Sequence, residues 1–368
     1  MKVAIIGSRG YPYVYSGYET FVKELSERLI KHDIQVKVYC HKNLFPIHPK
    51  FVNGIELVYI STIETKNLSQ VIHSFLSILH ACFTKTDIIL MVNAGNGPLG
   101  IIAKLFNKPT IINVDGLDWL RPKWKGLGAK YFYFAAKLAT KFYDAVITDA
   151  EEMRKVYLHE FKKDSTVIAY GDKISYSKIP SLITQFNLSP FEYYLIVGRL
   201  IPDNNADIII DGFMKSKSTK KLVIVGDVPY IDQYAENVKL KANTNIFFLG
   251  YITDNSTLEE LYHNCFVYIH GHEFGGTNPT MLKAMACGCA ISALSTPFNK
   301  EMLSEGKYGL FFDKCPDSVS NLILRIESDN NQITHLRNVS RNGLTEKYNW
   351  DHITEAYMKI MDKLLKKV

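Results

Sequence analysis

The densest group of reactive residues in the chain lies in the segment IHGHEFGGTNPT, from Ile269 to Thr280. Gly275 and Gly276 have no side chains, so their backbone N–H groups are open to a ligand. The apolar run that follows predicts a helix, and a helix N-terminus attracts negative charge. His272 stands in the same segment, where we find no structural reason for so many polar side chains. The segment is therefore the strongest signal in the sequence for a ligand site.

A second loop, VGRLIPDNN (197–205), carries a fixed positive charge directly after an apolar run. The planar guanidinium of Arg199 can donate two parallel hydrogen bonds, which suits the oxygens of a diphosphate. The competing interpretation is an ion pair inside the domain.

The first loop of the chain reads GSRG (7–10) and is followed by SGYETFV (16–22), where Gly17 precedes a helical pattern. Glycines at this place let backbone N–H groups approach a phosphate, although a plain turn would need them as well. The segment is not Gly-x-Gly-x-x-Gly, which disfavours a nicotinamide-dependent dehydrogenase.

Two more loops of the first half hold small polar and acidic residues. The segment NAGNGP begins at Asn93, and the segment NVDGLDW contains Asp115, Asp118 and Trp119. A carboxylate followed by glycine at the end of a strand faces a ligand more often than the core. The alternative is a helix N-cap, which both aspartates would fit.

The elements between these loops predict where the loops meet. Short apolar runs alternate with helical patterns twice along the chain, which is typical of two doubly wound α/β domains with parallel sheets. Ligands of such sheets bind beyond the carboxyl ends of the strands, and we expect two such domains to face each other across a cleft. The predicted strands are Val3–Ile6, Ile34–Tyr39, Ile55–Ile60, Asp87–Val92, Thr110–Val114, Ala145–Thr148, Thr166–Ala169, Tyr193–Val197, Leu222–Val225, Ile246–Leu249, Phe266–Ile269, Ala290–Ala293 and Gly309–Phe312.

Length and charge fit this organisation. The 368 residues suit two domains, and the boundary should fall between Ala169 and Pro190, where turn residues cluster. The net charge is +6, and residues 1–168 alone carry +7, which suggests where an anionic partner docks. No secretion signal, membrane span or zinc-type cysteine spacing is present, so we expect a cytoplasmic protein.

Five ordered segments make the chain resemble the retaining glycosyltransferases of family four, which have the GT-B fold. The closer resemblance is to the rhamnosyltransferase-like branch of bacterial polysaccharide synthesis. The matching segments are GSRGYPYVYSGYETFVKEL (7–25), NVDGLDWLRPKW (113–124), VIAYGD (167–172), VGRLIPDNNADIIIDGF (197–213) and HGHEFGGTNPTMLKAMACG (270–288).

The resemblance implies a division of labour between the two domains. Residues 170–351 would bind a nucleotide-diphosphate sugar, with dTDP-rhamnose as the expected donor and UDP-hexoses as the runner-up. Residues 1–169, together with a last helix over 352–368, would bind a saccharide or undecaprenyl-diphosphate-linked acceptor. The resemblance implies no metal dependence and no nucleic-acid partner. Retention would proceed by front-face attack, in which the leaving diphosphate helps to deprotonate the acceptor hydroxyl.

Three groups of residues carry these roles. Asp115, His272 and Arg199 are the catalytic candidates. The acceptor-side residues are Asn93, Asp115, Asp118 and Trp119. The donor-binding residues are Gly17, Arg199, Asn204, Gly275, Gly276, Thr277, Asn278 and Lys283.

Two positions depart from the family pattern. Many members have a phosphate-binding lysine where this chain has Asn204, and an acidic ribose-binding residue where it has Lys283. An ammonium cannot accept the hydroxyl hydrogen bonds that a carboxylate accepts, and a thymidine nucleotide lacks one of those hydroxyls. We therefore expect Lys283 to contact the nucleotide and to favour dTDP, with drift at a surface position as the alternative. A GT-B sugar-nucleotide epimerase and a catalytically silent sugar-nucleotide binding protein are the alternative functions.

A membrane-surface acceptor is a further hypothesis. Within residues 123–142, three lysines (Lys130, Lys137 and Lys141) share a helical edge beside a stripe of Leu127, Tyr131, Phe134 and Leu138. A basic amphipathic helix suits the inner face of an anionic membrane. The competing interpretation is a core helix with a solvated lysine face.

Overall fold

The computed structural model describes residues 1–12, 17–63, 69–121, 124, 126–228 and 231–366. The chain forms two compact units, one built from Met1–Tyr170 with Trp350–Val368 and the other from Gly171–Asn349. Each unit is a parallel sheet with helices packed on it, the arrangement that continuous apolar strands alternating with helices predict.

The first unit contains an eight-stranded sheet in the order β3-β4-β2-β1-β5-β6-β7-β8. All neighbours are parallel except β3, which pairs antiparallel with β4. The side chains of β5 and β6 are buried throughout, because helices cover this sheet on both faces. The strands are β1 (Lys2–Ile6), β2 (Gln35–His41), β3 (Phe51–Val52), β4 (Ile55–Ile60), β5 (Ile88–Val92), β6 (Thr110–Val114), β7 (Ala145–Thr148) and β8 (Thr166–Val167).

Helices connect these strands, and the last helix of the chain packs beside the first. The rings of Phe21 and Tyr357 have centroids 5.5 Å apart, and Arg28 donates to the Asp351 carboxylate at 3.2 Å. The helices of this unit are α1 (Gly17–Lys31), α2 (Ser69–Phe83), α3 (Gly100–Leu105), α4 (Leu127–Phe142), α5 (Glu151–Phe161) and α13 (Trp350–Leu365).

The second unit contains a six-stranded, fully parallel sheet in the order β11-β10-β9-β12-β13-β14. Its strands are β9 (Tyr193–Val197), β10 (Lys221–Val225), β11 (Ile246–Gly250), β12 (Val267–His270), β13 (Ile291–Leu294) and β14 (Leu310–Phe312). Its helices are α6 (Ala206–Ser216), α7 (Gln233–Lys239), α8 (Asn255–Asn264), α9 (Pro279–Cys287), α10 (Pro297–Met302), α11 (Pro316–Ser328) and α12 (Asn330–Lys347).

Every predicted strand has a counterpart in these two sheets, and the predicted α/β class is confirmed. The strand that sequence analysis missed is β3. It is two residues long and joins β4 through Asn53 and Gly54, which have φ angles of 51° and 79°. A hairpin this short leaves too little alternation in the sequence to be noticed.

Candidate functional site

The Asp115 carboxylate lies just after β6, among hydroxyl groups. The Tyr170 hydroxyl is 3.2 Å from Asp115 Oδ2 and 3.0 Å from Asn113 Oδ1, so it can donate to either oxygen. Asn113 donates its amide N–H to the hydroxyl of Tyr357 at 2.7 Å. The Tyr18 hydroxyl donates to the backbone carbonyl of Asp115 at 3.3 Å. Residues from α1, from α13 and from beyond β8 therefore meet around Asp115 and Asn113, and the Tyr170 hydroxyl reaches the Asp115 carboxylate itself.

Burial raises the pKa of Asp115 to about 6. The neighbouring Asp118 carboxylate adds to this rise, whereas the Arg121 guanidinium and the Tyr170 hydroxyl oppose it. Burial also raises the pKa of Tyr18 and of Tyr170 well above the ordinary tyrosine value, so both hydroxyls remain protonated donors. A carboxylate that titrates near neutral pH can orient an acceptor hydroxyl or take its proton.

The helix-cap interpretation of the two aspartates is wrong. The short turn Asp118–Leu120 begins after Leu117, which makes no side-chain cap hydrogen bond. Asp118 instead faces Arg121, with 3.6 Å between Oδ1 and Nη1. Trp119 packs edge-on against other aromatic rings rather than standing free, with Tyr157 at 6.0 Å.

Asn93 and Gly17 shape the neighbouring loops. Asn93 has a φ of 76°, and its side-chain oxygen accepts a hydrogen bond from the Gly95 N–H at 2.8 Å. Gly17 is the first residue of α1, and Ser16 before it lies outside the described residues. Gly7 sits so close to β5 that an added Cβ would lie 2.4 Å from the backbone oxygen of Val92. A side chain at this position would therefore push the first loop away from the sheet.

In the second unit Arg199 follows β9 and is exposed. Its guanidinium makes no hydrogen bond or ion pair with any described residue. The competing interpretation of Arg199, an ion pair inside the domain, is therefore not found among the described residues. Asn204 is buried and donates its amide N–H to the Arg199 carbonyl at 2.8 Å. Asn204 therefore holds the loop that presents the arginine.

The glycine-rich loop follows β12, the strand beside β9, so both loops leave the same edge of the sheet. Gly275 has a φ of 124°, and an added Cβ would meet nothing within 4 Å. A side chain is therefore excluded by the backbone conformation rather than by crowding. Gly276 and Thr277 are buried beside it, and Asn278 caps α9 by accepting from the Thr280 N–H at 3.0 Å.

His272 rests on a second histidine that sequence analysis left without a role. The rings of His270 and His272 stack with centroids 4.4 Å apart and an interplanar angle of 12°. His270 is fully buried, and its Nδ1 lies 2.9 Å from the Tyr268 hydroxyl. Burial, and then His272, lower the pKa of His270 well below the ordinary value. His272 therefore has a flat, neutral support.

Lys283 points to carboxylates. Its ammonium lies 3.2 Å from Glu259 Oε1 and 3.4 Å from Asp172. Burial raises the pKa of Asp172, and Lys283 opposes that rise. The role of Lys283 at the nucleotide stays a prediction, and these two ion pairs compete with it.

Sequence analysis missed the partners of each candidate. Tyr170 stands in the segment VIAYGD, yet nothing in the sequence indicates that its hydroxyl reaches Asp115, 55 positions away. Tyr357, Asp172 and Glu259 lie 244, 111 and 24 positions from the residues they contact. Among the described residues no group of three or more histidines, cysteines and carboxylates is arranged to hold a metal ion.

Comparison with known families assigns each half of the chain. Residues 184–360 match the family model described as glycosyl transferases group 1. The second half of the chain therefore carries a group 1 glycosyltransferase domain. The prediction of a nucleotide-sugar-dependent transferase is thereby confirmed. Residues 1–86 and 99–173 match a domain of unknown function, DUF1972.

Individual relatives are distant in sequence and similar in fold. An uncharacterized glycosyltransferase of Methanocaldococcus jannaschii is 25% identical, over 72% of this chain and 71% of the relative. Alpha-maltose-1-phosphate synthase of Mycolicibacterium smegmatis is 22% identical, over 99% of this chain and 100% of the relative. Sucrose-phosphate synthase from Thermosynechococcus elongatus superposes with a TM-score of 0.83 at 16% identity, over the whole of both chains. HepE from Anabaena, whose structure was solved with UDP, superposes with a TM-score of 0.79 at 16% identity, over 99% of this chain and 100% of HepE.

These likenesses confirm the GT-B type of fold that sequence analysis predicted, with two Rossmann-like α/β units. At such low identity they carry no information about the sugar or the acceptor. The rhamnosyl donor, the acceptor and the individual site residues therefore remain predictions.

Proposed function

We propose that this glycosyltransferase moves L-rhamnose from dTDP-rhamnose to a saccharide or lipid-linked precursor of a bacterial surface polysaccharide, with retention of configuration. The observation that carries the proposal is the exposed Arg199 guanidinium, which no described residue engages. Arg199 lies at the same edge of the sheet as the Gly275–Gly276 loop and the N-terminus of α9. A guanidinium, bare backbone amides and a helix N-terminus together favour a diphosphate.

In the proposed reaction the bond between the anomeric carbon and the diphosphate oxygen breaks. A new bond forms on the same face of the sugar from the acceptor oxygen, and the acceptor proton passes to the departing diphosphate. Arg199 stabilises the charge that develops on the leaving group, and this charge is largest in the transition state. The amides of Gly275, Gly276 and Thr277 hold the sugar hydroxyls.

Two side chains complete the assignment. His272 contacts the transferred sugar near the diphosphate, since it follows β12 and its ring rests on the neutral His270. Asp115, in the first unit, orients the acceptor hydroxyl. Its pKa of about 6 leaves it ionised near neutral pH, so its oxygens can accept that hydroxyl's hydrogen bond.

The choice of dTDP-rhamnose rests on the Pro-x-Asn-Asn and Gly-Gly-Thr-Asn-Pro segments, which resemble the rhamnosyltransferase-like branch. A UDP-sugar is the competing donor, because the structural relative HepE has been solved with UDP and with UDP-glucose. If the acceptor is lipid-linked, the enzyme must also work at the inner surface of a membrane.

Thermal unfolding in the presence of nucleotide sugars separates the two donors. A ligand at 100 times its dissociation constant stabilises the fold by roughly 2.7 kcal/mol, which raises Tm measurably. We expect dTDP-rhamnose to raise Tm more than UDP-glucose and to yield a glycoside with a lipid or saccharide acceptor. A shift and turnover with UDP-glucose alone would reassign the donor. Donor binding without sugar transfer or donor hydrolysis would indicate a catalytically silent sugar-nucleotide binding protein.

A further inference from the structure

The outer surface of three consecutive helices in the first unit is apolar and exposed. Contacts run from α2 to α3 and from α3 to α4, so the helices lie side by side. The ring of Phe83, the last residue of α2, meets the ring of Phe106 just after α3 at 4.9 Å. Monomeric proteins rarely expose a continuous apolar surface of this kind. The exposed residues of this three-helix face include Phe75, Leu76, Phe83, Ile101, Leu105, Phe106, Leu127, Tyr131 and Phe134.

The exposed residues of α4 belong to the apolar stripe for which the sequence allowed two interpretations, a membrane-facing surface or a core. The helix buries the small residues Ala135, Ala136 and Ala139, whereas Leu127 is 85% exposed and Phe134 is 55% exposed. The interpretation of this stripe as core is therefore wrong. The buried side of α4 carries small residues and packs on the segment Ala94–Leu99, whereas large apolar residues face outward, which is the reverse of an ordinary surface helix.

The helices of the three-helix face carry charged residues of a single sign. The segments of α2, α3 and α4 contain four lysines and no aspartate or glutamate. All four lysines are exposed, and none forms an ion pair with a described residue. By contrast, α1, α5 and α13 carry acidic residues in their first turns. The four lysines are Lys104, Lys130, Lys137 and Lys141.

We propose that the outer surface of α2, α3 and α4 lies flat on an anionic lipid bilayer, with Leu127, Phe134 and Phe83 inserted between headgroups. Lysines around an apolar surface bind anionic lipids through charge and through buried area together. A second copy of this chain fits less well, because two such faces would set lysines against lysines with no carboxylate from α2, α3 or α4 to balance them.

The position of α4 also supports the proposal. This part of the argument rests on the proposed lipid-linked acceptor. The Tyr131 hydroxyl donates to the Gly95 carbonyl at 2.9 Å, so the first half of α4 adjoins the loop after β5. Asp115 follows β6, the neighbouring strand. The exposed Leu127 end of the helix thus adjoins the loops that carry the acceptor-side candidates. A lipid-borne acceptor would meet these loops at the membrane surface.

Flotation with phosphatidylglycerol vesicles tests the proposal on the full chain. We expect the wild type to float at low salt and to remain in solution with phosphatidylcholine vesicles. The triple variant Lys130→Gln/Lys137→Gln/Lys141→Gln should partition on the order of 100-fold more weakly, because each lysine near such a surface strengthens binding about fivefold. The double variant Leu127→Gln/Phe134→Gln should lose at least about tenfold through lost apolar burial.

The matched control is Lys31→Gln/Lys359→Gln/Lys363→Gln, which removes the same charge from α1 and α13. We expect it to float like the wild type, and Tm values of all variants show that each is folded. Absence of wild-type flotation, or equal losses in the control and the Lys130 triple variant, would overturn the proposal. A wild-type dimer in sedimentation that the double variant Leu127→Gln/Phe134→Gln dissociates would also overturn the proposal. A protein that floats but transfers no sugar would refute the proposed function and leave this surface standing.

Discussion

Both units carry their candidate residues in loops at the carboxyl edge of a parallel sheet, and these two edges have opposite chemistry. In the first unit the edge beyond β6 gathers carboxylates, and Asp115, Asp118 and Asp149 all raise the pKa of the Tyr18 hydroxyl. In the second unit the edge beyond β9 and β12 presents Arg199 and the bare Gly275. The six central strands of the first sheet follow the same order as the six strands of the second, so the difference in chemistry lies in the loops.

This difference shows what the shared architecture leaves free. A parallel sheet fixes where a ligand binds, because its strands end together at one edge. The loop residues decide whether that edge attracts an anion or accepts a proton. The proposed function uses both edges, with the cation for the donor diphosphate and the carboxylate for the acceptor hydroxyl.

The largest expected effect is the loss of the cation. Arg199→Ala should lower kcat on the order of 10²–10³-fold, because the charge on the departing diphosphate then has no guanidinium opposite it. Transfer of radiolabelled sugar to the acceptor measures this effect. Arg325, exposed on α11, offers a matched control whose alanine variant should turn over normally. Wild-type turnover in a folded Arg199→Ala protein removes this arginine from the site.

The corresponding change in the first unit is Asp115→Asn, which keeps the shape and removes the charge. We expect acceptor-dependent transfer to fall roughly 10- to 100-fold, the usual loss for one hydrogen bond to a charged group, while donor binding stays unchanged. Calorimetry with the donor and transfer kinetics with varied acceptor measure the two separately. Unaltered acceptor kinetics would contradict the role of Asp115.

The same variant should gain stability in a defined pH range. The folded pKa of Asp115, about 6, lies above the unfolded value near 3.9, so the folded state holds the proton more tightly. This carboxyl therefore costs stability as pH rises from about 4 to about 6, by about 1–3 kcal/mol. Asp115→Asn should accordingly have a higher Tm than wild type at pH 7.5 and an equal Tm near pH 4, by calorimetric scans. An Asp115→Asn protein with a lower Tm than wild type at both pH values would contradict the destabilising effect of the buried Asp115 charge.

A smaller effect concerns Lys283 and its two carboxylate partners. Lys283→Glu would place a third carboxylate beside Asp172 and Glu259, so we expect a lower Tm that recovers as pH falls and these groups protonate. If Lys283 also contacts the nucleotide, affinity for UDP should improve relative to dTDP. Lys283→Gln is the control, since it removes the ammonium without adding a charge. Equal changes in affinity for both nucleotides would leave Lys283 a structural role only.

The smallest effect is expected for Tyr170→Phe. The Tyr170 hydroxyl lowers the pKa of Asp115, so its removal should move the midpoint of the pH–rate profile upward from about 6. Tyr357→Phe also removes a hydroxyl that contacts Asn113 but does not donate to Asp115, and should shift the midpoint less. Identical profiles for Tyr170→Phe and wild type would show that Asp115 does not control the rate.

Sequence alone determined the architecture of this protein, because parallel strands buried on both faces need continuous apolar runs and such runs are visible in one dimension. It also located the loops at the strand ends, and with them Arg199, Asp115 and the Gly275–Gly276 pair. The glycine at position 275 permits the positive φ of its loop, because it has no Cβ.

Tertiary structure alone decided what each of these residues touches. It brought Tyr170 to Asp115, placed His270 beneath His272 and engaged Lys283 with Glu259. It also turned the large apolar residues of α4 outward, although the same stripe could have formed a core. The reason is physical: hydrogen bonds, burial and pKa shifts depend on distances between residues remote in sequence, and hydrophobic periodicity records only that a helix has an apolar side.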